Sequence, residues 1–567
     1  MKKLLIISVC SLFYVNSNYA QKLSQEEEQI TTTLTNHRIE KVLGKDSVMI
    51  IETNVMTPMR DGVKLASDIY RLKGAQRQPV LVNRTPYGKD AERENKDIEY
   101  FVKKGYTVVV QDVRGRYNSE GEYYPFVNET DDGIDFFAWL SHQSWSDGNV
   151  GTFGISYHGA TQWLPVRKSP ESIKTMIPEV TFSDMYEGTA YQGGAKILHD
   201  LSGAVNNIIP TDMKRRGNSE QTATLTEVLN TLPMTSHPLL QGCKGFYLER
   251  LNHPAPGLYW EQMSANAGYD GVKVPVMNIS GWYDIFLWGT IQNYMNMRKY
   301  GGSELARNNQ RLILGPWQHA DKSGVFPDVD FGSKASENYI NLLDLKRHWY
   351  DRWLRGIENG IEDEAPVMYF TMGSNEWHTA KEWPLPETQY KPLYLNESNT
   401  LSWVEPVATS SNTYTYDPMN PVPTVGGQVL GVATPGPYNQ SEIEMRKDVL
   451  VYTSPTLEKA VEVTGMVELK LYVSSSALDT DFTGKLVDVY PDGKAIILTE
   501  GILRARYRNG MTTPQLMTPN EIYELDVNLW ATSNVFLPGH KIRYPCTSSI
   551  GLADEQETVY SPYSRHN

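Results

Sequence analysis

Gly151-Thr152-Phe153-Gly154-Ile155-Ser156-Tyr157-His158-Gly159 runs small and β-forming residues into a serine, and a helical pattern starts directly on the far side. A strand that turns so sharply into a helix leaves the serine hydroxyl exposed at the bend, the arrangement of a nucleophile elbow. Gly154 lets the backbones of strand and helix approach, and Gly159 falls in the first helical turn, where a side chain would crowd. The backbone N–H of Tyr157, at the N-terminus of that helix, is a natural donor to an oxyanion. The usual five-residue pattern places glycine two residues after the serine, where this chain has His158. Taken alone, the stretch also reads as a Gly-rich strand-to-helix turn without chemistry. Its surroundings decide.

Upstream, strand signals at 48–55 and 65–70 flank the Asp61-Gly62 turn, and short apolar runs at 79–83 and 106–112 have the pattern of strands buried on both faces. A polar helix around 91–104 and an amphipathic helix over 131–140, with Ile134, Phe137, Ala138 and Leu140 on one face, alternate with them. The elbow strand follows at 150–153, then a strand at 173–177 that Pro178 ends. Strands alternating with helices at this spacing predict a mostly parallel sheet with right-handed crossovers. From 181 to 270 no strand run appears; helical segments at 191–208, 219–231 and 256–268 are broken by prolines such as Pro210, Pro233 and Pro254, which predicts a helical cap. The sheet resumes at 274–280 and 311–315, and Leu342, Leu345, Trp349 and Trp353 form the apolar stripe of a helix over 337–355. Beyond 366 helical periodicity nearly vanishes, and eight or more strand signals predict a sandwich or jelly roll.

The fold expected is therefore α/β, with a first sheet part at 46–180, a helical cap at 181–270, a second sheet part at 271–362 and a jelly-roll β domain at 363–567. A chain of 567 residues exceeds what one core usually organises, which agrees with several domains. The formal net charge of −14 and the lack of a basic stripe argue against nucleic acid as a partner. Residues 1–20 have a basic start at Lys2 and Lys3, an apolar run from Leu4 to Val15 and a small residue at Ala20, as in a signal peptide cleaved after Ala20. A secreted or periplasmic protein with a polar arm at 21–45 and no membrane span after cleavage is expected. Cys243 and Cys546 fall in different expected domains and read as isolated buried thiols; no zinc-ligand spacing occurs, and neither a metal nor a cofactor is expected.

A serine attacks only when a base takes its proton, and that base needs an acid to fix its tautomer. In this fold class the partners follow in the order Ser, Asp or Glu, His. Asp284 directly follows a buried strand, at the sheet edge where catalytic groups gather, and His319 lies just past the next strand. Order and placement select Ser156, Asp284 and His319. His158 is too close in sequence to swing back as the base, His199, His237 and His253 fall in the cap, and His142 precedes the elbow strand. Tyr87, in the turn Arg84-Thr85-Pro86-Tyr87-Gly88, is a candidate second oxyanion donor through its hydroxyl, although a turn tyrosine more often merely packs.

Met59-Arg60-Asp61-Gly62-Val63, Arg84-Thr85-Pro86-Tyr87, Gln111-Asp112-Val113-Arg114-Gly115-Arg116 and Gly154-Ile155-Ser156-Tyr157-His158-Gly159 resemble motifs of the CocE/NonD family. So do Gly281-Trp282-Tyr283-Asp284, Gly315-Pro316-Trp317 with His319, and Asp479-Thr480-Asp481-Phe482. The resemblance extends over nearly all of the chain after about residue 45. That family holds cocaine esterase, α-amino-acid ester hydrolases, cephalosporin acylase-like proteins and, more distantly, Xaa-Pro dipeptidyl-peptidases. The resemblance implies an α/β-hydrolase domain, a helical cap and a C-terminal jelly roll. It implies Ser156 as nucleophile, His319 as base, Asp284 as the orienting acid, and an oxyanion held between the Tyr157 N–H and the Tyr87 hydroxyl. Its G-x-S-Y-x-G elbow accounts for glycine at 159.

The family's amino-ester hydrolases hold a substrate ammonium with carboxylates in the cap and just after the triad acid. Here Ile285-Phe286-Leu287-Trp288 follow Asp284, and this apolar wall suits an aliphatic or aromatic acyl group instead. Trp282, Phe286 and Trp288 are candidate substrate contacts, with Asp184 and Glu187 as candidate carboxylates at the cap entrance. The chain stops at Asn567, sooner after 541–549 than in the family, so an abbreviated jelly roll is expected. These features predict an exported serine hydrolase cleaving an ester or amide of a small-molecule or peptide acyl substrate through an acyl-enzyme, compatible with a homo-oligomer. The alternatives are an Xaa-Pro dipeptidyl-peptidase and, in another class, a non-catalytic carbohydrate- or surface-binding protein.

Overall fold

The computed structural model describes residues 38–44, 47–215, 217, 223–231, 233–242, 246–407, 410–418, 420–548 and 558–563. The expected signal segment, most of the expected arm, and Cys243 lie outside the described residues. An eleven-stranded sheet carries the first two thirds of the chain. Its strands are β1 (Arg38–Gly44), β2 (Ser47–Pro58), β3 (Lys64–Leu72), β4 (Gln78–Thr85), β5 (Thr107–Asp112), β6 (Ser146–Ile155), β7 (Ile173–Glu179), β8 (Val276–Tyr283), β9 (Gln310–Gln318), β10 (Val367–Thr371) and β11 (Glu376–Ala380). They lie side by side in the order β1-β2-β3-β5-β4-β6-β7-β8-β9-β10-β11. Pairing is parallel from β5 through β10 and antiparallel at both ends.

Both faces of this sheet are covered, so the central strands are apolar throughout rather than alternating. Leu81, Val108, Val110, Met277 and Ile279 pack on one face against helices Lys96–Lys103 and Leu342–Arg355. Val80, Val82, Val109, Met176 and Val276 point the other way, onto Glu129–Ser141, Tyr157–Val166 and Leu287–Tyr300. The two-residue period of a strand thus divides one valine run between two cores.

Several expectations shift. The helix expected at 131–140 starts at Glu129 and buries Phe136, Phe137 and Leu140, leaving Ala138 exposed and Ile134 half-buried. The two phenylalanines offer more apolar area than the alanine and isoleucine, and they set the face. The strand at 173 runs through Pro178 to Glu179, because the proline sits opposite Gly154 where the pairing is about to end. β10 and β11, expected within the C-terminal domain, extend the large sheet instead, with Leu312 paired to Val367. A short apolar run looks alike in a parallel sheet and a sandwich, so its partner was not legible. Likewise, β1 takes the end of the expected arm into the sheet edge.

The insertion after β7 is largely helical, with its own core of Leu201, Val205, Ile209, Met213, Val228, Leu240, Phe246 and Tyr247. It opens on a small ribbon, Tyr191–Gln192 paired with Ala195–Lys196, where helix was expected. The helical stretch then continues from Leu198 to Arg215 through Pro210, by way of a π segment at Ala204–Ile208 that accommodates the missing N–H.

The C-terminal region holds a six-stranded sheet that includes Asp481–Val489, Ala495–Arg504 and Lys541–Thr547, and a four-stranded sheet that includes Val461–Ser475 and Tyr523–Phe536. The backbone at Thr558–Tyr563 pairs with Ser411–Thr415, so the four-stranded sheet closes beyond 549. Asp481 binds Arg504 at 2.7 Å and Asp479 binds Arg506, which makes the late acidic motif a structural one. Cys546 is buried, and burial pushes its thiol up to about 12. The cap entrance is locked onto this domain: a Cβ on Gly193 would stand 2.0 Å from the Ile502 carbonyl, and Arg504 N–H donates to the Gly193 carbonyl at 2.8 Å. Among the described residues no helix is long and apolar enough to cross a membrane, and no acidic, histidine and cysteine group could hold a metal.

Candidate active site

Ser156 lies at the break between β6 and helix Tyr157–Val166 with φ 58° and ψ −122°, in the left-handed half of conformational space. Such a backbone costs on the order of 1–3 kcal/mol and persists only where the surroundings impose it. They do so here. The Ser156 N–H donates to the Glu179 carbonyl at 3.0 Å, and the Ser156 carbonyl accepts from Gly159 and Ala160. A Cβ on Gly154, itself at φ 132°, would stand 2.5 Å from the His158 Cβ, and one on Gly159 would stand 2.6 Å from the Thr181 Cβ. The glycine at 159 is therefore required by the segment after β7 as much as by its own helical turn.

Asp284, fully buried at the end of β8, accepts from the Phe286 N–H at 2.7 Å on one oxygen. Its other oxygen is 2.6 Å from Nδ1 of His319, which lies one residue past β9 and is 8% exposed. A carboxylate can only accept, so Nδ1 carries the proton and Nε2 is left with its lone pair, the tautomer a general base needs.

Tyr87 is 45% exposed, yet its hydroxyl lies deep and faces the Ser156 side chain. Burial raises the phenol above its ordinary range, so it is a donor at any working pH. The turn carrying it is held from several sides. Thr85 Oγ1 accepts from the Tyr87 N–H at 3.0 Å and meets His158 Nε2 at 2.9 Å. Arg116, 2% exposed, donates Nε–H to the Pro86 carbonyl at 2.8 Å. Lys89 N–H donates to Asp112 at 2.7 Å, while its buried ammonium stands 3.4 Å from Asp68 and 3.8 Å from Asp112. Burial pushes Asp112 up to about 7 and His158 down to about 4. His158 is thus a neutral prop for the Tyr87 turn. The Tyr157 N–H opens its helix without an intrahelical partner, while its hydroxyl donates to Glu129 and accepts from the Phe126 N–H, both at 2.9 Å.

Phe286 meets His319 edge to face, with ring centres 5.6 Å apart, and lies 6.0 Å from Phe182 and 6.0 Å from His199. His199, in the cap, is held through Nδ1 by the Leu430 carbonyl at 3.0 Å, so the C-terminal domain reaches the site. Its membership was not legible, because nothing in a cap sequence says which face meets the sheet edge.

Other candidates fall elsewhere. Trp282 is fully buried in the core, donating Nε1–H to the Phe370 carbonyl at 2.6 Å and packing on Trp383; it is not a substrate contact. Its neighbours are those of a hydrophobic core that also holds Phe370 and Trp383. Trp288, on helix Leu287–Tyr300, is half-buried against the same core beside Gly188. Asp184 is occupied by the Tyr186 N–H at 2.7 Å and Asn266 at 3.0 Å, and it lines a recess of about 310 Å³ with Trp260, Glu261 and Ser264, none of them a triad residue. Glu187 accepts from the Gly193 N–H at 3.2 Å, its second oxygen is buried without a partner, and burial pushes it up to about 7.

Comparison with known proteins matches residues 61–321 to a family model described as X-Pro dipeptidyl-peptidase (S15 family). Residues 359–549 match the X-Pro dipeptidyl-peptidase C-terminal non-catalytic domain. The chain is 37% identical over 527 residues to a cocaine esterase of Rhodococcus sp. (strain MB1 Bresler), covering 88% of this chain and 91% of the relative. Among solved structures, an α-amino acid ester hydrolase superposes with a TM-score of 0.77 at 26% identity, over 94% of this chain and 93% of the other. An aminopeptidase from a marine sediment archaeon, Thaumarchaeota archaeon, shares the fold with a TM-score of 0.79 at 23% identity, over 94% and 96%.

Proposed function

The chain belongs to the CocE/NonD family of serine hydrolases, and from that membership we propose that it cleaves an ester or amide of an apolar acyl substrate through Ser156, His319 and Asp284. The observation that carries this reading is the 2.6 Å hydrogen bond from His319 to the buried Asp284; a serine held at φ 58° at the strand-to-helix break supports it. His319 Nε2 takes the Ser156 proton as Oγ attacks the carbonyl carbon. The carbonyl oxygen becomes an oxyanion between the Tyr87 hydroxyl and the Tyr157 N–H. His319 then protonates the leaving group, and water repeats the sequence on the acyl-enzyme. Phe286 and Phe182 supply an apolar wall beside the base, which supports an aromatic or aliphatic acyl group and agrees with the ester named for the Rhodococcus relative.

The reading includes export, with residues 1–20 as a cleaved signal peptide, and a jelly-roll arrangement of the two C-terminal sheets. A second reading, release of Xaa-Pro dipeptides, draws on the family models and on Glu187, whose unpartnered buried oxygen could accept a substrate ammonium. A panel of p-nitrophenyl esters and dipeptide p-nitroanilides, with Ser156→Ala as the blank, separates the two. Turnover of aryl or alkyl esters that vanishes in Ser156→Ala is expected; turnover confined to dipeptide anilides favours the peptidase, and equal turnover in Ser156→Ala refutes both.

A further inference from the structure

Two catalytic side chains on two different loops must keep a fixed separation, and the Asp284 bond orients only the ring of His319. We propose that Glu179 is a positioning residue that ties the serine elbow to the histidine loop through Lys322. Glu179 ends β7, beside the elbow strand, with Ile155 as its partner in register. Its carbonyl accepts the Ser156 N–H at 3.0 Å. Its carboxylate, 4% exposed, grips Lys322 at 2.6 Å on one oxygen and Lys346 at 2.5 Å on the other. Lys322 stands three residues beyond His319 in a loop that has left the sheet; Lys346 belongs to helix Leu342–Arg355, packed on the sheet face. One residue therefore touches the backbone of the nucleophile, the loop of the base and the scaffold beneath both.

A single ammonium would neutralise this carboxylate. The second makes it a three-way junction, and the arm to Lys322 is the one that crosses to the catalytic loop. The loop's other restraints are local or peripheral. They include a turn in which Gln318 N–H donates to the Asp321 carbonyl at 3.2 Å, the Ala320 N–H on the Gln318 side chain at 3.0 Å, Ser323 N–H on the Asp321 side chain at 2.8 Å, the Lys322 carbonyl accepting from Glu337 N–H at 2.9 Å, and the half-exposed Glu337 carboxylate 3.9 Å from the Lys322 ammonium. None of these reaches the elbow. Misplacing a reacting group by about 1 Å costs on the order of a hundredfold in rate, which is the scale at stake if the arm is cut.

The inference rests on the proposed roles of Ser156 and His319, and the two lysines separate positioning from plain stability. Lys322→Met leaves Glu179 paired with Lys346 but frees the loop; Lys346→Met keeps the loop tied and weakens the scaffold. With a p-nitrophenyl ester, Lys322→Met is expected to lower kcat about ten- to a hundredfold with KM nearly unchanged, measured on the folded protein below its melting transition. Lys322→Arg, which keeps a cation at that reach, is expected to restore most of the loss, and Lys346→Met to lower melting temperature more than kcat. Lys322→Gln stands in if the methionine variant does not fold. A Lys322 variant with kcat within threefold of wild type, or an equal kcat loss in Lys346→Met, overturns the inference while Ser156→Ala stays inactive. Activity surviving in Ser156→Ala would instead refute the underlying catalytic reading.

Discussion

Replacing Tyr87 by phenylalanine removes one oxygen and leaves the rest of the turn in place. The ring keeps its neighbours, Tyr157 at 6.4 Å and His158 at 5.5 Å, and the turn keeps the bonds that Thr85, Arg116 and Lys89 provide. What disappears is the hydroxyl that faces the serine at rest and that, in the proposed mechanism, donates to the oxyanion in the transition state. A net hydrogen bond to a neutral partner contributes about 1 kcal/mol to stability, so the fold should barely respond. In the transition state the same hydroxyl faces a full negative charge at a desolvated site, where losing one of two donors costs about 2.7–4 kcal/mol, or about a hundred- to a thousandfold in kcat. Stopped-flow hydrolysis of a p-nitrophenyl ester should therefore show acylation slowed by that factor, KM close to wild type and an unchanged melting curve. A Tyr87→Phe enzyme acylated within threefold of the wild-type rate would refute the role given to this hydroxyl.

Two further outcomes follow from where side chains sit. Phe286→Ala and Trp282→Ala both empty buried sites and should each cost about 3–5 kcal/mol of stability, but in the folded fraction Phe286→Ala should raise KM for aromatic esters while Trp282→Ala leaves KM alone; ester kinetics paired with urea unfolding check both. Glu179 is held well below its ordinary 4.5, at about 2, by two lysines that outweigh its burial. A depressed carboxylate stabilises the fold above its unfolded value and loses that contribution as pH falls through the folded one, here between about 4.5 and about 2. The amount is on the order of 3 kcal/mol, so the stability gap between wild type and Glu179→Gln should narrow across that window in acid denaturation; a constant gap would contradict it.

The parallel sheet was legible because apolar runs of fixed length alternate with amphipathic helices. The Asp284–His319 pair was legible because strand ends in such a sheet share one edge. Trp282 misled for a related reason: sequence adjacency to Asp284 does not tell which face of β8 a side chain takes, and this one enters the core. β10 was assigned to the wrong sheet, and β11 was not foreseen as a strand, because a strand's partner depends on contacts far along the chain. His158 and Arg116 stood in the quoted motifs and Lys89 directly after the Tyr87 turn, yet their work on that turn depends on distances that spacing does not encode. Glu179 gave the weakest signal of all, a lone acid after Pro178 whose two lysines lie 143 and 167 residues away.

The most direct test of the proposed chemistry is covalent: incubate the protein with a fluorophosphonate, measure its intact mass and map the modified peptide. One adduct per chain on Ser156, slowed strongly in Asp284→Asn and His319→Ala, is the result expected. An active preparation that stays unmodified, or an adduct on a different residue, would contradict the assignment of Ser156 as the nucleophile.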